Sequence, residues 1–357
     1  MKALRAQNPS DDLSTIYRGA EKCSSKLTAP AYFLSVYVLI AIFLRGSIAT
    51  AQAVKLRASY SSITANNTPI WITREKGFFN KYQLDLQIVL IESGTTSIQA
   101  LIAGETQIAQ LGGGVVLSSG LSGADVVVVA RLENRLAFTL IAQKNIKSSD
   151  QLRGKRLAIS RFGSASDLGA RLILQRSGLM PEKEVSILQV GGTSTRLAAL
   201  TKGNVESAVL TPEFSLLANK SGFTILATPL SVRIDFPQNA IATSRAFLKA
   251  QPESVSQFLK AVIEGVHFYK NSREESIRIM GKYLNIQDQE AMGEIYDLYK
   301  NIFLPVPFPT VEGMQTLLSW MAQRDPRAAE AKVEQFIDTT TLKEIEKSGF
   351  VSRLYPK

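Results

Sequence analysis

The 357 residues include a single cysteine, Cys23, and a single histidine, His267. No disulfide can close within such a chain, and no His/Cys zinc site can be assembled from one residue of each kind. A Ser-His-Asp or Cys-His nucleophile would have only His267 as its base. That residue lies in Val266-His267-Phe268-Tyr269 of a predicted helix, where packing or surface exposure suits it better than catalysis. Long apolar runs are also scarce. The longest, residues 31–44 (AYFLSVYVLIAIFL), would rise about 21 Å as a helix, short of the roughly 30 Å hydrocarbon core of a bilayer. Blocks of Lys/Arg, interleaved basic and aromatic residues, the G-x-G-x-x-G pattern and a P-loop are absent, and Gly112-Gly113-Gly114 matches neither glycine motif. No enzyme, cofactor or nucleic-acid partner is expected from this inventory.

What the chain does have is 45% apolar and only 20% charged residues, a composition that buries cores, over a length that suits two domains. The 41 Lys/Arg exceed the 31 Asp/Glu by ten. Spread as they are, these charges read as a solvated basic surface.

The N-terminus has the grammar of export. Lys2, Arg5, Arg18, Lys22 and Lys26 precede the apolar run, and small residues ending at Ala51 or Ala53 follow it. Residues 1–51 are therefore expected to be a signal peptide and the protein periplasmic, with an uncleaved membrane anchor or a start codon placed too early as open alternatives. Cys23 precedes the apolar run, so lipid attachment is not expected. Removing the leader takes six Lys/Arg and three Asp/Glu and leaves +7 on a cysteine-free chain.

Periodicity reveals a repeat. Residues 54–60 predict a strand, 67–79 a helix closed by Gly77, 84–92 a strand, 95–103 a helix, and 106–111 a strand running into Gly112-Gly113-Gly114. About 100 residues later the same β-α-β-α-β order returns: strand 156–160, helix 165–177, strand 185–190, helix 193–201, strand 206–210. Two copies make two similar α/β lobes rather than a solenoid. The expected division is 52–138 for the first part of lobe one, 139–238 for lobe two, and 239–357 for a return to lobe one with C-terminal helices. Crossings between lobes are expected near 138–142 and 236–243.

Ligands of open α/β sheets sit outside the carboxyl ends of the strands. The strand-to-helix turns there are small, polar and rich in glycine, and they supply the candidate contacts: Tyr60, Ser61, Ser93, Gly94, Thr95, Gly113 and Gly114 in lobe one, and Gly163, Ser164, Gly192, Thr193, Thr211 and Glu213 in lobe two. Helix starts offer unpaired N–H groups and the positive end of the dipole, and Ser/Thr hydroxyls add donors. For any one turn, an N-cap or a conformational glycine competes with this reading. Among the arginines 131, 135, 161 and 171, Arg161 is the favoured anion partner because it directly follows the strand 156–160. Trp71, between Ile70 and Ile72, is read as core.

An ordered set of strings resembles the solute-binding proteins of ABC importers, in the group of alkanesulfonate, taurine, nitrate and thiamine-pyrimidine-precursor binders. It comprises Glu75-Lys76-Gly77-Phe78-Phe79, Ser93-Gly94 with Gln99-Ala100-Leu101-Ile102-Ala103-Gly104, Leu152-Arg153-Gly154-Lys155-Arg156-Leu157-Ala158, Gly163-Ser164-Ala165, and Phe336-Ile337-Asp338. The resemblance spans about Val54 to Val351. It implies the type II periplasmic-binding-protein fold, with two lobes on two hinge crossovers and C-terminal helices on lobe one. It further implies capture of a small polar or anionic organic solute by hinge closure and delivery to a membrane permease, by a protein expected to be monomeric. Leu210-Thr211-Pro212 stands where the sulfonate and nitrate group often carries Trp-Asp-Pro. A fold-sharing enzyme of pyrimidine metabolism and a membrane-tethered sensor are the alternative readings.

Overall fold

The computed structural model describes residues 54–356; the expected leader, residues 1–51, lies outside them. Ten strands form two five-stranded mixed sheets. The first contains β1 (Val54–Tyr60), β2 (Leu84–Leu90), β3 (Ile108–Leu111) and β4 (Val126–Arg135). The second contains β5 (Thr139–Ala142), β6 (Lys155–Ile159), β7 (Val185–Gln189), β8 (Ser207–Leu210) and β9 (Thr224–Ala227), after which β10 (Asp235–Ser244) returns to the first. The strand orders are β2-β1-β3-β10-β4 and β7-β6-β8-β5-β9. In each sheet three strands run parallel, and the fourth is antiparallel to both its neighbours. That fourth strand, β10 or β5, is the first one laid down after the chain has crossed from the other lobe. The two-lobed α/β architecture expected from the repeat is the observed one.

Six helices follow the strands: α1 (Thr68–Glu75), α2 (Gly94–Ile102), α3 (Gly113–Leu121), α4 (Ala165–Arg176), α5 (Thr193–Thr201) and α6 (Pro212–Lys220). Two turns expected as loops are helix starts. Gly113 and Gly114 open α3 and Pro212 opens α6. Glycine is a poor helix former, but packing requires it here: a Cβ on Gly113 would lie 2.7 Å from Pro237 Cβ, and one on Gly114 would lie 2.6 Å from Leu168 Cδ1. The helix expected over 67–79 is interrupted, because Gly77 takes φ +68° and turns the chain into a separate short helix, Phe78–Lys81.

Both crossings lie slightly upstream of their expected places, at 136–138 and 228–234. Thr139 already pairs with Leu210 in the second sheet. Asp235 already pairs with Arg135 in the first, so residues 235–238 are back in lobe one.

The C-terminal helices α7 (Pro252–Asn271), α8 (Arg273–Leu284), α9 (Gln289–Ile302), α10 (Val311–Met321) and α11 (Thr340–Lys347) complete the chain. The apolar face of α7, with Val255, Phe258, Leu259, Val262 and Val266 all buried, packs on α1 of lobe one. Trp71 of α1 is core, stacked on Tyr283 at 4.6 Å between centroids and edge-on to Tyr60 at 6.2 Å. His267 is half-buried against Tyr355.

The close approach of α7 to α1 depends on Gly265. A Cβ there would overlap Thr73 Oγ1 and lie 2.6 Å from the Pro69 carbonyl oxygen. Gly265→Ala is expected to destabilise the protein by about 1–3 kcal/mol through overpacking, despite alanine's better helix propensity. A lowered urea midpoint with unchanged slope is the expected observation.

Candidate functional site

The lobes meet over a cavity of about 60 Å³. Ser61, Ser62, Asn66, Asn67, Ser93 and Gly94 line it from lobe one, and Ser160, Ser164, Ser166, Thr193, Arg196 and Thr211 from lobe two. Phe138 comes from the first crossing, and Gln238 and Asn239 come from β10.

Five helices start at this wall. Ser93, Gly112, Ser164, Gly192 and Thr211 are the N-caps of α2, α3, α4, α5 and α6, and all five line the cavity. Of these, only Ser164 caps its helix, accepting from Asp167 N–H at 3.3 Å; the other four make no side-chain cap bond. The Ser93 hydroxyl pairs with Thr95 Oγ1 at 2.8 Å, and Thr211 donates to Glu213 Oε1 at 2.8 Å. In α2, α3 and α5, first-turn N–H groups ordinarily satisfied by a cap are left to the cavity, together with the positive ends of the helix dipoles, whereas α6 opens on Pro212, which has no N–H, and the Glu213 N–H meets its own carboxylate. Ser93 has φ +80°, an unfavourable conformation for a residue with a side chain, held at the mouth of α2.

Side-chain networks hold the wall in place. In lobe one Asn67 donates to the Ser62 carbonyl at 2.7 Å and accepts from Gln110 at 2.5 Å, while Asn239 donates to the Asn66 carbonyl at 3.0 Å. In lobe two the hydroxyls of Ser160, Ser164 and Ser166 are mutually within 2.8–3.0 Å. Gln238 Oε1 is buried with no partner among the described residues.

Arg196 is the only charged side chain in the wall. It is 2% exposed, and its three nitrogens donate to the carbonyls of Val209 and Gly191 and to Thr193 Oγ1. Burial lowers its pKa to about 9, partly offset by Glu92, which leaves it cationic at neutral pH. A buried cation whose hydrogen bonds all go to neutral oxygens lacks a counter-ion. Such a wall can accept a small anion.

The candidates divide by position. Ser61, Ser93, Gly94, Ser164, Gly192, Thr193 and Thr211 line the cavity, whereas Tyr60, Thr95, Gly113, Gly114, Arg161, Gly163 and Glu213 lie outside its wall. Tyr60 turns into the core on Trp71, Gly113 and Gly114 face packed side chains, Arg161 is exposed, and the Gly163 N–H donates to Asp167. Glu213 sits behind Thr211, fully buried. Arg131 donates to the Phe308 carbonyl, and Arg171 is paired with Asp167 and Glu182. Arg196 is not among the sequence candidates. Its signal is helical spacing: Thr193, Arg196 and Leu200 make one face of α5, and all three are buried.

The cleft is shut. Ala65 N–H of lobe one donates to Glu213 Oε1 of lobe two at 3.2 Å, and Trp320 Nε1 reaches Gln175 Oε1 at 2.7 Å. A Cβ on Gly112 would lie 2.7 Å from the Ala165 Cβ across the cleft.

Comparisons with known proteins agree with this architecture. Residues 64–276 match the family described as NMT1/THI5 like. A protein of Brucella abortus (strain 2308) named "Putative binding protein" is 25% identical over 246 residues, covering 67% of this chain and 75% of that protein. The alkanesulfonate-binding protein SsuA from Xanthomonas axonopodis pv. citri, solved bound to MOPS, superposes with a TM-score of 0.66 at 17% identity, covering 81% of this chain and all of that one. The periplasmic nitrate-binding protein NrtA from Synechocystis PCC 6803 gives a TM-score of 0.65 at 17% identity, covering 85% and 91%. These relatives are binding proteins, not enzymes, and the structural likeness fixes the fold as the periplasmic-binding-protein type.

Gly112 has φ −68°, so alanine is conformationally acceptable there and acts only through the cross-cleft contact. Gly112→Ala is expected to fold with near-normal thermal stability in the open form, yet to show a larger radius of gyration by small-angle scattering at saturating ligand than the parent protein does.

Proposed function

The chain belongs to the NMT1/THI5-like family, and on that premise we propose that it is the extracytoplasmic solute-binding component of an ABC importer, with a small anion as its cargo. The observation that carries the cargo class is the meeting of three uncapped helix N-termini and one unpaired buried arginine in a single cavity. Each helix start adds roughly half a positive charge, and a buried cavity screens it less than bulk water does. A neutral sugar or a cationic amine would leave Arg196 without a counter-charge.

Size narrows the class further. A cavity of about 60 Å³ holds a compact head group rather than a drug-sized molecule. Carboxylate, sulfonate and nitrate groups are planar or tetrahedral oxyanions of that scale, and the serine, threonine and asparagine side chains around them supply donors for two or three oxygens. Contacts from both lobes exist only when the cleft is shut, so binding shifts the open and closed populations. The membrane permease would then read the closed shape. The leader at residues 1–51 supports delivery to the periplasm.

The test is a thermal-shift and calorimetric screen of the ligand-stripped protein against short alkanesulfonates, carboxylates, nitrate and matched neutral alcohols and amides. Anions should stabilise it, by about 2.7 kcal/mol at a hundred times Kd. Stabilisation by neutral compounds alone would overturn the reading. Arg196→Gln should weaken the binding of the best anion by roughly 10- to 150-fold, the equivalent of about 1.5–3 kcal/mol for a charged hydrogen bond, with Arg196→Lys losing less.

A further inference from the structure

Two carboxylates, one from each lobe, are buried behind the cavity wall and bonded to the consecutive residues Ala65 and Asn66. Glu133, near the end of β4, is 2% exposed and accepts from Asn66 Nδ2 at 2.9 Å. Glu213, in the first turn of α6, is 1% exposed; its Oε1 accepts from Ala65 N–H of lobe one and from Thr211, and its Oε2 has no partner among the described residues. The Tyr299 hydroxyl of α9, which feels both carboxylates, is also buried and unpartnered. Two buried oxygens, Glu213 Oε2 and the Tyr299 hydroxyl, are thus left unpartnered among the described residues, and one proton on the carboxylate pair would turn an unpaired acceptor into a donor.

Among the described residues, no Lys or Arg is paired with Glu133 or Glu213, whose bonded partners are Asn66, Ala65 N–H and Thr211. Of the two arginines flanking Glu133 on β4, Arg131 is turned to the Phe308 carbonyl and Arg135 is exposed. From α9, Tyr299 faces the pair, and Glu294 lines the same hinge-side groove as Glu133, adding no positive charge. From the segment before α1 come only Asn66 and the Ala65 N–H.

We propose that shutting the cleft takes up one proton on the Glu133/Glu213 pair, so that acidity favours the closed form. This rests on the hinge-closure reading above. In the open form Glu213 leaves Ala65 and its partner carboxylate and regains water, and the two groups ionise independently. Closing strips the water from Glu213 and sets it against Glu133. Burial first, and then Glu213, push Glu133 up to about 8; burial also raises Glu213. The pair titrates as a unit. The sign follows from the raised values: the closed form binds the proton more tightly than the open form, so acid stabilises it, and that advantage is lost as pH climbs towards about 8. A groove of about 750 Å³ on the hinge side reaches Glu133, which gives the proton a route separate from the ligand's. Ala137 and Thr139 face that groove while Phe138 between them faces the cavity, as alternation along an extended chain requires.

The experiment measures closure itself. Spin labels on Glu105→Cys in lobe one and Lys202→Cys in lobe two, both exposed positions, report the interlobe distance by pulsed electron paramagnetic resonance in the ligand-free full chain carrying Cys23→Ser. Between pH 5.5 and 8.5 the closed-to-open ratio should fall, by at most about tenfold per pH unit for one proton. Glu213→Gln keeps the acceptor for Ala65 without the charge, so its ratio should be flat and remain near the acid value of the parent. A parent ratio that does not change with pH overturns the proposal, as does the same pH response persisting in Glu133→Gln/Glu213→Gln. A ratio that responds to added anion but not to pH sinks the proton alone and leaves hinge closure standing. The parent titration decides the matter even where a variant fails to fold.

Discussion

Desolvation of helix N-termini is the constraint around which this protein is organised. In the shut cleft, the first-turn N–H groups of α2, α3 and α5 are removed from bulk water without a side-chain cap. An unpaired buried donor costs about 1–3 kcal/mol, and several of them around a buried arginine make an empty closed cleft expensive. A bound group that satisfies those donors offsets this cost. Rigid networks behind the wall, such as the Ser160, Ser164 and Ser166 hydroxyls, keep the donors aimed before the ligand arrives.

The same economy explains the glycines. Gly112, Gly113 and Gly114 carry no recognisable phosphate motif, and their value is steric. They bring α3 against Ala165, Pro237 and Leu168, so that a helix start of lobe one, the first part of β10 and a helix of lobe two share one small volume. Glycine at helix starts lowers helix propensity, and tertiary packing compensates.

Much of the fold is legible in the sequence because its elements have clean periods. The run Val126–Ala130 is apolar on both faces and is buried along its length although it belongs to β4 at the end of the first sheet; the two β-α-β-α-β units align because their turns carry similar small residues. The start of α3 is not legible, since three glycines imitate a loop. The exact crossings are hidden too, because Asp235–Gln238 carry no pattern of their own and are assigned only by pairing with β4. At the site, Ser93, Ser164 and Thr193 are legible as strand-end turn residues. Arg196 is harder to see: a charge on the buried face of a helix reads as an error in amphipathicity until the cavity beneath it is known.

The exchanged strands β5 and β10 have a consequence for how the chain acquires its shape. The first sheet is incomplete until Ala240 pairs with Leu111 and Ala242 with Ala109, partners some 130 positions apart in the chain. Sheets closed by such distant pairings form slowly, because the loop entropy is spent before the contacts repay it. Lobe one therefore cannot finish folding until lobe two has been made and traversed. A polypeptide emerging from the ribosome keeps β3 without its β10 partner until residues 240–243 have been synthesised.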